Sequence, residues 1–152
     1  MTTALHGPLQ AASSELSTLV ERAQAVTRRL LLAMLELDDD ALAAPAARGA
    51  TRRHVLARCV LESEGTARSL GLDVPHSSIE VLRHGALVEV VDAVTTSLGS
   101  ALASLTSLPP GSGMHAAVGI AREHLATLQE TLEDLAMPQS GAAQRDEETV
   151  AV

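Results

Sequence analysis

Six histidines, one cysteine and 19 carboxylates are the side chains with which this chain could ligate a metal or move a proton. The histidines are His6, His54, His76, His84, His115 and His124, and no two of them are one helical turn apart. A ligand pair within one helix needs donors three or four residues apart, where both project from the same face. Within a predicted helix, Glu80 and His84 meet that spacing, and two ligands leave a site incomplete. A set assembled from several helices is the remaining route to a metal centre. His54, Glu62, Glu123 and His124 are the residues for it. His124 borders the apolar seam of the last predicted helix with Glu123 beside it, and is the strongest single candidate.

Arg58 and Glu62 are one turn apart and suited to pairing. Arg58 stands next to Val55 and Cys59, at the edge of a predicted core, where a guanidinium is a rigid two-pronged donor for the carboxylate of a ligand. Cys59 falls on the apolar face and reads as a small core residue beside that position. The run Asp38-Asp39-Asp40 lacks the alternating oxygen ligands and closing Glu of a calcium loop and reads as a solvated turn.

Helices must position these groups. Glu15 follows possible caps Ser13 and Ser14, and Leu16, Leu19, Val20, Ala23, Val26, Leu30, Met34 and Leu35 recur at helical spacing. Asp39 to Ala44 adds a short turn before Pro45 and Gly49. Thr51 caps a second helix, buried along Val55, Leu56, Cys59, Val60, Ser63, Ala67 and Leu70 and closed by Gly71. Ser77 and Glu80 form an expected capping box for a third helix that runs unbroken to Leu108, with Ser97–Ser100 as its weakest turn. A fourth starts at Met114 and stops at Pro138. The expected domain plan is a flexible arm (1–12), an antiparallel four-helix bundle (13–137) and a disordered acidic tail (138–152).

Composition supports an all-α chain. The 152 residues contain no Phe, Tyr or Trp and no Lys, so the core must be aliphatic. A net charge of -8 and the lack of aromatic stacking platforms argue against nucleic acid as a partner. One cysteine excludes an internal disulfide framework. The N-terminus lacks a basic, then apolar, leader pattern, and the uncharged stretch 93–121 is polar and interrupted by Pro109-Pro110. These features lead us to expect a cytoplasmic protein with no membrane partner, and an Ala/Leu-rich helix face suggests a homodimer.

Leu35-Glu36-Leu37-Asp38-Asp39-Asp40-Ala41-Leu42-Ala43-Ala44-Pro45, followed by Gly49-Ala50-Thr51-Arg52-Arg53-His54-Val55-Leu56-Ala57-Arg58, resembles a segment of the DinB-like superfamily. The resemblance is to the N-terminal domain of mycothiol-dependent maleylpyruvate isomerases and extends loosely over 15–136. It implies a four-helix bundle with an unusual connection order. It also implies a zinc or nickel ion held by three residues, the first a His that closes the second-helix motif. Arg58 stands at that position here, and Ala50 replaces the family's Trp. The expectation is therefore a degenerate member without the metal or any other cofactor, binding a small acidic metabolite through Arg58, Glu62, Cys59 and His124. One alternative is a metal- and thiol-dependent isomerase or S-transferase with rearranged ligands. Another is a non-catalytic dimeric interaction module.

Overall fold

Apolar side chains at three- and four-residue intervals wind most of this chain into helix. The computed structural model describes the backbone of residues 3–46, 49–108 and 113–151, and side chains within 10–46, 49–108 and 113–136. The first long helix begins at Thr3 rather than at the expected Ser13 or Ser14 cap, and the last runs on past Pro138, where a stop was expected, while the side chains of the expected arm (1–12) and tail (138–152) fall largely outside that description. Four long helices, α1 (Thr3–Leu35), α3 (Arg52–Ser69), α5 (Leu87–Thr106) and α6 (Met114–Ala151), are joined by two short ones, α2 (Asp39–Ala43) and α4 (Ile79–His84). The described residues form no sheet, only one isolated bridge between Pro45 and Thr51.

Local chemistry accounts for most of the boundaries. Asp38 caps α2, accepting from Ala41 N at 2.8 Å, and Thr51 caps α3, accepting from His54 N at 3.2 Å. At the other end of α3, Gly71 has φ 89°, a left-handed conformation that glycine adopts without a Cβ clash. That turn lets Leu72 N reach the Ala67 carbonyl and Gly71 N the Arg68 carbonyl, which satisfies the last turn of the helix.

The long helices touch in the cyclic order α1–α6–α3–α5, so α1 and α3, and likewise α5 and α6, lie across from one another. Leu30, Leu56, Val60, Val90, Val94, Leu98 and Leu128 meet in the centre, each essentially inaccessible to water. Contacts at the two ends set the helix directions. At one end, the Pro45–Thr51 bridge, Leu87 N donating to Asp39, and Arg52 Nε donating to the Leu135 carbonyl gather the end of α1, the starts of α3 and α5, and a late turn of α6. At the other, Leu16, Leu105 and Met114 border one cavity. α1 and α6 therefore point one way and α3 and α5 the other. The antiparallel arrangement expected from sequence holds for the pairs α1/α5 and α3/α6, while α1/α6 and α3/α5 run parallel.

The parallel α3/α5 pair requires a return crossing, and residues 70–86 provide it. Arg68 donates to the Val74 carbonyl at 3.2 Å, and Ser77 N donates to the Glu64 carboxylate at 3.1 Å. Arg53 then donates to the carbonyls of Leu82 and Gly85 at 3.3 and 2.8 Å. The crossing thus climbs back along α3. This corrects the expected unbroken third helix: the break lies at Gly85-Ala86, and Ser97–Ser100 stays helical. Glu89 accepts from Ala86 N at 3.1 Å and Asp39 from Leu87 N at 3.0 Å, which starts α5 afresh. The expected cap at Ser77 is also shifted. Ser77 N is committed to Glu64, and Ser78 caps α4 instead, accepting from Val81 N.

α5 is long and apolar enough to cross a membrane by length and composition. In this fold its Val90, Val94, Leu98, Ala101 and Leu105 are buried, and it packs on α3 and α1 as a core helix does.

A Cβ on Gly85 would lie 2.5 Å from the Val81 carbonyl oxygen, which is backbone and cannot swing away. Gly85→Ala is expected to destabilise the protein by about 1–3 kcal/mol, measured by urea unfolding followed by far-UV circular dichroism.

Candidate functional site

The residues singled out from sequence separate into three surroundings. Cys59 is in the core with no measurable exposure, beside Ser63 and Thr131. Burial pushes its thiol up to about 11, so it remains protonated and unreactive at neutral pH.

Glu62, Glu123 and His124 come together along a groove of about 340 Å³ between α3 and α6, which Thr66 and Thr127 also border. The carboxylates are exposed, but His124 is 1% exposed, and both ring nitrogens lack a hydrogen-bond partner among the described residues. Desolvation lowers its pKa from 6.5 to about 4, so the imidazole is neutral at pH 7. His54, the fourth member of the rearranged metal set, lies elsewhere. Among the described residues no three His, Cys, Asp or Glu side chains converge as a metal site.

Arg58 departs from the expected core-edge position: its side chain is 43% exposed. Nη2 pairs with Glu130 at 2.9 Å, and Nε lies 3.7 Å from Glu62. The hydrogen bond that Arg58 donates to the Glu130 carboxylate is the main reason its pKa is raised, so the charge is held and also answered within the protein. The helical spacing to Glu62 identified the weaker partner. The stronger one, on α6, has no signature in the local sequence.

Arg58 and His54 border a different cavity, between α3 and α4, of about 310 Å³. Ala57, Leu61, Ile79 and Leu82 supply its apolar surface and Arg83 a second guanidinium. An adjoining cavity of about 320 Å³ shares His54, Ala57, Leu82 and Arg83, and extends past Thr51, Arg53 and His84. Arg53 is engaged by the two carbonyls that end α4. Arg83 is exposed and makes no hydrogen bond or ion pair with the described residues. The two cavities therefore form a cleft along the outer side of α3 with an unanswered cation over aliphatic surface, in a chain of net charge -8. Sequence reasoning missed Arg83, because on a long third helix it is an ordinary surface arginine. The return of 70–86 along α3 is what turns it toward His54.

No protein-family model, curated protein or solved structure matches this chain.

Two outcomes follow from these surroundings. The folded-state pKa of His124 lies below its unfolded value. Its contribution to stability is therefore intact above pH 6.5 and falls as the pH drops toward 4, by up to about 3 kcal/mol. His124→Leu removes two unpaired buried nitrogens and is expected to keep or raise stability at pH 7 and to flatten this acid limb, read from urea midpoints between pH 7 and 4. An unchanged limb would place the acid sensitivity elsewhere. Arg58→Ala breaks a solvent-screened pair and is expected to cost less than about 1 kcal/mol in the same assay at pH 7.

Proposed function

We propose that this chain is a degenerate, DinB-like four-helix bundle that binds a small acidic metabolite in an inter-helix cleft without a metal ion. The ring of four long helices with diagonal connections supports the bundle reading and the unusual connection order that the resemblance implies. The observation that carries the ligand reading is Arg83, a guanidinium with no partner among the described residues, shared by both halves of the α3/α4 cleft. A guanidinium offers a planar pair of N–H donors matched to a carboxylate. His54 and His84 border the same cleft and add hydrogen-bonding groups. Arg58 keeps its place in the reading as the cation at one end of the cleft, tied to Glu130. Glu62, Cys59 and His124 belong to other parts of the fold and are not assigned to this ligand.

A second reading draws on the α3/α6 groove. Glu62, Glu123 and His124 border one cavity, which favours a rearranged site for zinc or nickel with a low-molecular-weight thiol as co-substrate. Holding an ion there would require these side chains to move, since they do not converge as a ligand set and the His124 nitrogens are buried, and His54 would not take part.

Isothermal titration with small carboxylates separates the two readings. The first expects saturable binding that weakens at least tenfold in Arg83→Ala and persists in His124→Leu and in the presence of chelator. Acid binding that ignores Arg83, or one stoichiometric zinc or nickel per chain on untagged protein that Glu123→Gln removes, would favour the second.

A further inference from the structure

The α3/α4 cleft is not uniform along its length, and its two halves differ in chemistry. The halves follow one another by one turn along α3: Thr51, Arg53, His54 and Ala57 border the first, and His54, Ala57, Arg58 and Leu61 the second. Along α4 the order is reversed, with His84 at the first half and Ile79 at the second. At 1.5 Å per residue, Thr51 to Leu61 spans about 15 Å.

Thr51, Arg53 and His84 set the first half apart, although most of its surface is apolar. The second half is mainly aliphatic. Leu61 and Ile79 are 50% and 60% exposed there, although both are large apolar side chains. Its one distinct cation, Arg58, is already paired with Glu130. Arg83 stands in the shared middle, with no partner among the described residues.

We infer that the cleft takes an amphipathic acid: a single anionic head on Arg83, toward the His54 and His84 side, with an unbranched or flat apolar tail laid between Leu61 and Ile79. The inference rests on the proposed acidic ligand and adds its class and orientation. A second anionic group on the tail would meet aliphatic surface and an arginine whose charge Glu130 already answers. Such a tail would cover the two half-exposed apolar side chains, and each methylene taken out of water would tighten binding. Carboxylate and phosphate heads share the chemistry that Arg83 recognises.

The test is a titration series on the full chain with butanoate, hexanoate, octanoate, succinate, hexanol and hexyl phosphate. Affinity is expected to rise about threefold to fourfold per methylene from butanoate toward hexanoate and to level off as the tail passes the end of the cleft. Succinate should bind more weakly than hexanoate, and hexanol should not bind measurably. Ile79→Ser and Leu61→Ser alter exposed positions and should abolish the dependence on length, so that hexanoate binds no tighter than butanoate, with an unchanged circular dichroism spectrum. Arg83→Ala should lose all the acids, with an unchanged circular dichroism spectrum. Length-dependent binding of hexyl phosphate tighter than that of hexanoate would support the same orientation and assign the head to a phosphate. Equal binding of all lengths, or succinate ahead of hexanoate, with Arg83 still required, would overturn the head-and-tail inference alone. No binding of any acid would overturn the acidic-ligand reading with it.

Discussion

α4 is held to α3 at both ends, and the cleft exists because of it. At the start, the Glu64 carboxylate, 3% exposed, accepts from Ser77 N and pairs with Arg68 at 3.1 Å. At the finish, Arg53 grips the carbonyls of Leu82 and Gly85. A six-residue helix has little intrinsic stability, so its position is set by these tertiary bonds and by Leu82, which is buried. A buried carboxylate without its partners carries a large desolvation cost, which makes the Glu64 cluster costly to disrupt. It also fixes the rotation of α4, and with it the direction in which Arg83 and Ile79 project.

The core is organised around the absence of rings. With no Phe, Tyr or Trp available, Leu, Val and Ala bring the long helices together, and several small polar residues bond back to their own helix while Thr27 and Ser63 stay unpaired among the described residues. Ser97 and Ser104 donate to the carbonyls of Val94 and Ala101, and Thr131 to that of Thr127. His124 makes no such bond through either ring nitrogen. It is the largest buried polar side chain left unpaired among the described residues.

Much of the secondary structure was legible in the residues. The apolar stripes of α1 and α6, the Thr51 cap, the Gly71 stop and the short turn at Asp39 all follow from local periodicity and capping. So does the burial of Cys59. The break at Gly85 was not legible, because residues 77–108 carry an uninterrupted helical pattern. What breaks it is non-local: Asp39 from α2 takes Leu87 N, and Arg53 from α3 takes the Gly85 carbonyl. The same cause hid the cleft. Arg58 was singled out because it neighbours Cys59 in sequence, yet one residue is 100° of helix rotation and carries it out to Glu130. Arg83 acquires its setting only when the crossing lays α4 against α3.

The diagonal connections also bear on how the chain comes together during synthesis. α1 rests on α5 and α6 and barely touches α3, the next long helix to emerge. Its buried stripe, from Ala12 to Met34, therefore has no long partner until α5 has left the ribosome and no complete one until α6 has followed. The first native pairing of long helices open to the growing chain is α3 with α5 through the α4 crossing, while α1 waits with its aliphatic face uncovered. The N-terminal helix is thus the segment whose apolar side chains wait longest for cover.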